Sequence, residues 1–223
     1  MGEGIAQIAA TFGHPVMLYD VSQAQTQGAI ENIAKRLERS VNKEKITDEK
    51  RTQILANISP ARALGELAKV KLAIEAIIED LGIKQDVFSQ LESLLEADAI
   101  LATNTSSIDL NKMGSKLKHP QRLVGMHFFN PAQVMALVEI VHSTETDSEV
   151  ADLVFSLAEE WGKSPVHVRS SPGFIVNRAA RPFYSEALVI LKEGGTDAAN
   201  CDAIIRDCGG FRMGPFELMD LIG

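Results

Sequence analysis

Cysteine is almost absent from this chain: of 223 residues, only Cys201 and Cys208 carry a thiol. Their spacing fits neither a C-x-x-C redox pair nor a zinc knuckle. Two reduced, partly buried thiols in an intracellular protein are therefore expected. No H-E-x-x-H or comparable spacing occurs, so no metal site is expected. Long apolar runs are missing too, which excludes a bilayer-spanning helix and any membrane role. No charged leader followed by an apolar stretch opens the chain, so no secretory signal is expected and the location should be cytoplasmic. Positive charge is in deficit, with 22 Lys and Arg against 30 Asp and Glu, for a formal net charge of −8. Without a basic run, nucleic acid is a poor partner. Internal repeats and low-complexity segments are also absent. What remains is an ordinary globular composition, 45% hydrophobic and 23% charged, on a chain long enough for one large or two modest domains.

The apolar positions alternate between helical and strand periods. Ile5, Ile8, Ala9 and Phe12 share one helical face, which Gly13 can close. Val16 to Asp20 reads as a short buried strand. Ser22 and Gln25 have the S-x-x-Q form of a capping box, opening a long helix with Ala29, Ile30, Ile33, Leu37 and Val41 on its apolar face. A shorter helix follows Thr47. Leu72 to Ala76, Ala99 to Ala102, Leu123 to Phe128, Leu137 to Val141 and Val166 to Val168 read as strands. Asp80 to Leu95 and the segment of Val150, Leu153, Val154 and Leu157 read as helices. Strands separated by helices of this length make βαβ units and an α/β sheet covered on both faces. Ser171-Pro172-Gly173 breaks the pattern, and everything beyond it reads as helix and turn. The expected organisation is an α/β domain over residues 1–168 and an all-helical one over residues 169–223.

Asp20 closes an apolar strand behind a glycine-led helix, where a dinucleotide fold places the acid that binds the adenosine ribose. A carboxylate there repels a 2′-phosphate, and no arginine follows to accept one, so NAD is favoured over NADP. Taken alone, the same aspartate reads better as a helix cap.

Three blocks are more specific. Gly125-Met126-His127-Phe128-Phe129-Asn130-Pro131, followed by Leu137-Val138-Glu139-Ile140-Val141, resembles the signature of NAD-dependent L-3-hydroxyacyl-CoA dehydrogenases, down to the His-to-Glu spacing. Thr103-Asn104-Thr105-Ser106-Ser107 and Pro172-Gly173-Phe174-Ile175-Val176-Asn177-Arg178 match two further blocks in order. The resemblance covers essentially the whole chain, and Arg181 to Ala187 is similar to the 3-hydroxybutyryl-CoA and 3-hydroxyadipyl-CoA branch. It implies a Rossmann-like, doubly wound sheet followed by the start of a helical substrate and dimerisation domain, which the motif Gly214 to Asp220 also resembles.

The resemblance also assigns roles. His127 is implied as the base that removes the hydroxyl proton while hydride leaves carbon 3, a task suited to an imidazole. Glu139 is implied as the group that fixes its tautomer. Ser106, Asn130 and Asn177 are implied around the substrate oxygen, with Ser106 and Asn104 also on the cofactor side. Glu79 and Lys84 are implied near the ribose and nicotinamide, although helix-start charges are nearly as good a reading. Lys43 and Lys45 fall where relatives hold coenzyme A phosphates, but lysines on an exposed helix are usually only solvated. His14, His119, His142 and His167 have no supporting context.

Met1-Gly2-Glu3-Gly4-Ile5-Ala6-Gln7 resembles the tail of the family's glycine fingerprint, with Gly2 as the third glycine, the one that lets helix and sheet approach. The preceding strand and two glycines have no counterpart here, so an interrupted sheet, a natural start ahead of Met1 and impaired NAD binding are expected. The implied function is interconversion of (S)-3-hydroxyacyl-CoA and 3-oxoacyl-CoA with NAD, in a protein that is a homodimer at full length. The alternatives are a non-catalytic fragment, the dehydrogenase part of a multifunctional fatty-acid oxidation protein, and a relative acting on a free sugar acid.

Overall fold

The computed structural model describes residues 1–222, in which Met1–Pro172 form one compact unit and a second begins at Gly173. The first contains α1 (Gly2–Thr11), β1 (Val16–Leu18), α2 (Gln23–Asn42), α3 (Asp48–Ala56), β2 (Ile58–Pro60), β3 (Leu72–Glu75), α4 (Leu81–Leu94) and β4 (Ile100–Thr103). It continues through α5 (Leu110–Gly114), β5 (Leu123–Phe128), β6 (Leu137–His142), α6 (Ser148–Glu160) and β7 (Ser164–Arg169). The second holds α7 (Val176–Lys192), α8 (Ala198–Asp207) and α9 (Pro215–Ile222), with no strand among the described residues.

The strands form two sheets. β1 and β2 pair in parallel by themselves, and β3-β4-β5-β6-β7 lie in sequence order in a five-stranded sheet. All its pairings are parallel except β5 with β6. Within their sheets β1 pairs only with β2 and β3 only with β4, so the interruption implied by the sequence is present. Helix α1 nevertheless serves both sides. Its Ile5, Ile8 and Ala9 pack into the cluster under Val124, Met126 and Ile140, while Ala6 and Ala10 belong to a cluster with Ile33, Leu37 and Ile54. Val16 of β1 packs against both clusters. Burial of these aliphatic faces, at ~25 cal/mol per Å2 of apolar surface, is what holds the helix against both sheets.

Several local expectations change. The Ser22 side chain makes no cap hydrogen bond; Asp20 Oδ1 instead accepts from Ser22 N–H at 2.8 Å, an Asx-type turn that competes with the capping box. Thr47 does cap α3, accepting from Lys50 N–H at 3.2 Å. Strand β2 has no sequence signal, because only Ile58 of its three residues is buried and Pro60 ends it. Phe12, expected on the buried face of α1, is its C-cap and is exposed. Cys201 is buried in α8, whereas Cys208 sits beyond the helix as its C-cap and is exposed.

Candidate active site

The antiparallel register of β5 and β6 makes His127 and Glu139 direct partners across the two strands. Both are buried, and His127 Nδ1 lies 2.7 Å from Glu139 Oε2. The register leaves no slack: a Cβ at Gly125 would lie 2.6 Å from the Cβ of its partner Val141, so only glycine lets the strands close at this point. Phe129 packs its ring on the imidazole with centroids 4.6 Å apart. Asn104, which follows β4, offers its side-chain oxygen to Phe128 N–H at 2.9 Å, fastening the end of β5 one residue from the histidine.

Beside this pair, the polar cluster after β4 is held by Glu79. Its Oε1 accepts from the N–H groups of Ser106 and Ser107 at 3.1 and 3.2 Å and from the Ser107 hydroxyl at 3.0 Å. The Thr105 hydroxyl donates to the same oxygen in a very short bond. Partial burial works against ionisation of Glu79, but the bonds from Thr105 and Ser107 and the Lys84 cation outweigh it and hold the carboxyl below its usual range. Lys84 Nζ lies 3.2 Å from Glu79 Oε2 and 2.6 Å from Glu75 Oε1. Glu75, which sequence reasoning did not single out as a site residue, is saturated: Oε1 also accepts from Ile77 N–H, and Oε2 accepts from the Thr103 hydroxyl, both at 2.7 Å. The signal was available as an acid ending an apolar strand with a lysine one turn into the next helix.

The structure thus gathers His127, Glu139 and Asn104 in one group, and Glu79, Lys84 and Ser106 in another. Asn130 lies exposed in the turn after Phe129. Asp20 stands at the end of the smaller sheet, one oxygen engaged by Ser22 N–H. Helix α1 opens without a side-chain cap, the condition in which a helix N-terminus accepts a phosphate. These two features fit the ribose and phosphate portions of a dinucleotide. A Cβ at Gly2 would meet Ala76 Cβ, just beyond β3, at an ordinary 3.7 Å. Gly4 is tighter, but against the turn after β5: a Cβ there would come within 3.0 Å of Gln133 Oε1 and 3.2 Å of Ala132 Cβ. Lys43 is the C-cap of α2 and Lys45 lies in the turn beyond it, both exposed and not on the helix as expected. Asn177, half-buried, is in the first turn of α7 in the second unit. No cluster of three metal-ligating side chains occurs among the described residues. No described helix is long and apolar enough to cross a membrane.

Comparison with known proteins follows this geometry. Residues 1–171 match the model of the 3-hydroxyacyl-CoA dehydrogenase NAD binding domain, and residues 173–223 that of the 3-hydroxyacyl-CoA dehydrogenase C-terminal domain. The chain is 45% identical to a 3-hydroxyadipyl-CoA dehydrogenase of Escherichia coli K12, covering 100% of this chain and 47% of the relative. It is 40% identical to a 3-hydroxybutyryl-CoA dehydrogenase of Clostridioides difficile, covering 100% of this chain and 79% of that protein. The crystal structure of 3-hydroxybutyryl-CoA dehydrogenase from Escherichia coli K12 superposes with a TM-score of 0.99 at 45% identity, over 100% of this chain and 47% of the other. The chain thus spans about half the length of the Escherichia coli relatives it matches. With both family models covering it end to end, the chain belongs to the 3-hydroxyacyl-CoA dehydrogenase family.

Proposed function

We propose that the protein is a cytoplasmic oxidoreductase that interconverts (S)-3-hydroxyacyl-CoA and 3-oxoacyl-CoA with NAD, using His127 as general base. The observation that carries this reading is the buried His127–Glu139 pair at 2.7 Å on adjacent strands. A carboxylate can only accept a hydrogen bond, so Glu139 favours the tautomer with the ring proton on Nδ1, which makes Nε2 the basic nitrogen of the imidazole. The same carboxylate stabilises the imidazolium that forms, and burial strengthens that interaction. NAD, when bound, supplies the hydride acceptor. Asp20 and the start of α1 would hold its ribose and phosphate ends, and Glu79 sets the turn carrying Ser106, whose hydroxyl would steady the substrate oxygen together with Asn130. Lys43 and Lys45, exposed at and just beyond the C-terminus of α2, suit a polyanionic coenzyme A. The exposed Leu188, Val189 and Leu191 of α7 suit self-association, as in the homodimer proposed for the full-length protein.

The test is NADH formation from (S)-3-hydroxybutyryl-CoA. Turnover that survives unchanged in His127→Gln discards the base assignment. A second reading is supported by the one-sided pairing of β1 and β3: the chain alone holds NAD poorly. Titration calorimetry separates the two, comparing this chain with one extended by an apolar strand and glycine turn. Tight NAD binding by both removes the second reading; binding by the extended chain alone supports it.

A further inference from the structure

The turn between His127 and Glu139 is fastened from outside by Lys163. Residues 129–136 join β5 to β6 and begin with Phe129 and Asn130. Val134 and Met135 both donate N–H bonds to Pro131 carbonyl at 3.0 Å, so the turn is a single helical coil whose later carbonyls need other donors. Lys163 Nζ donates to two of them, Ala132 at 2.7 Å and Met135 at 2.9 Å, and Ser164 N–H donates to Ala136 at 2.8 Å.

The position of Lys163 is itself over-determined. Helix α6 ends in a Schellman turn: Gly162, at φ +66°, donates to Glu159 carbonyl at 2.8 Å, and Lys163 N–H reaches back to Ala158 at 3.0 Å. Trp161, immediately before it, is buried in the main cluster. On its other side the fastened turn abuts α1, with Ala132 and Gln133 filling the space a side chain at Gly4 would need. Burial holds the Lys163 ammonium below the usual lysine range, so two carbonyl dipoles stand in for part of its hydration.

We propose that Lys163 is a positioning residue for the reaction: its ammonium locks the 129–136 turn so that Asn130 is presented beside His127 and the turn stays seated on the cofactor-side helix α1. This rests on reading His127–Glu139 as a dehydrogenase site. The experiment compares Lys163→Met, which keeps the stem and removes the charge, with Lys163→Arg, which restores donors to both carbonyls. Hydrogen exchange at the Val134 and Met135 amides should accelerate in Lys163→Met and return toward wild type in Lys163→Arg. The apparent kcat should fall ~10-fold or more in Lys163→Met, as misplaced reacting groups do, with the acyl-CoA KM little changed. Partial recovery is expected in Lys163→Arg. Unchanged exchange in Lys163→Met overturns the lock. Faster exchange and a lower melting temperature with wild-type kcat would show a purely structural tie and overturn the positioning role. If Lys163→Met does not fold, Lys163→Gln, able to serve one carbonyl, supplies the same readouts. Wild-type turnover in His127→Gln would instead sink the dehydrogenase reading and leave the exchange result standing.

Discussion

His127–Glu139 and Glu75–Lys84 are both sealed from water, at 2.7 and 2.6 Å, and both involve the end of a strand in the five-stranded sheet. They differ in what surrounds the contact. Glu75 spends both oxygens on Lys84, Ile77 N–H and Thr103, and Lys84 spends its charge on two carboxylates. Most of these bonds tie one element to another: strand β3 to β4 and to helix α4, and through Glu79 to the turn after β4. The histidine pair joins two antiparallel strands through His127 Nδ1 and Glu139 Oε2, with the Phe129 ring packed on the imidazole. The carboxylate–lysine cluster fixes backbone, whereas an imidazole is the side-chain type suited to moving a proton. The comparison predicts that damage to the first appears in stability and damage to the second in turnover.

The largest effect should come from His127→Gln, with turnover falling ~100- to 10,000-fold, the usual contribution of a positioned base, and the urea midpoint nearly unmoved. A large loss of stability instead would erase the distinction. Glu75→Ala should do the reverse. Lys84, only 1% exposed, would lose its closest partner, and breaking such a buried pair costs about 3–5 kcal/mol in equilibrium unfolding. Replacing both members by apolar residues should recover most of that loss, since the uncompensated charge is then gone.

Smaller changes sharpen the contrast. Asp20→Ala should weaken NAD binding by roughly 10-fold, about one charge-assisted hydrogen bond, and relax discrimination against NADP. Unchanged cofactor preference in calorimetry would remove Asp20 from the ribose site. Gly125→Ala should cost about 1–3 kcal/mol by overpacking against Val141 and should also slow turnover by spreading the His127–Glu139 register. The smallest effect is acid-dependent. The Glu79 carboxyl is held below its ordinary value of 4.5, so its bonds stabilise the fold fully above that pH and are lost as pH falls through the lower folded value. Melting temperatures of wild type and Glu79→Gln should therefore converge below pH 4.5, with the difference restored at neutrality.

Much of the architecture is legible in the chain because its strands are strongly marked. Leu123–Phe128 is buried at every position and reads as an apolar run broken only by Gly125 and His127. Ile58–Pro60 has one buried residue and depends on pairing with Val16–Leu18 to exist as a strand at all. Likewise the S-x-x-Q pattern at Ser22 describes a local option that Asp20 forecloses by taking the Ser22 N–H. At the site, His127 and Glu139 stand out because motif and residue chemistry agree. Glu75 and Lys163 do not, since each acts on groups far away in sequence: Thr103 is 28 residues from Glu75, and Ala132 is 31 from Lys163.

By itself, then, the sequence determined the alternation of strand and helix, the family and the chemical types gathered at the site, because periodicity, glycine and proline breaks and short motifs are local properties of the chain. Only the tertiary structure decided that β5 and β6 run antiparallel with His127 facing Glu139, that Gly4 packs closely on the Ala132–Gln133 turn, and that Glu79 holds the Ser106 turn while Lys163 holds the Asn130 turn. These are hydrogen bonds and contacts between segments brought together by folding. Their energies depend on burial and register, which no local pattern encodes.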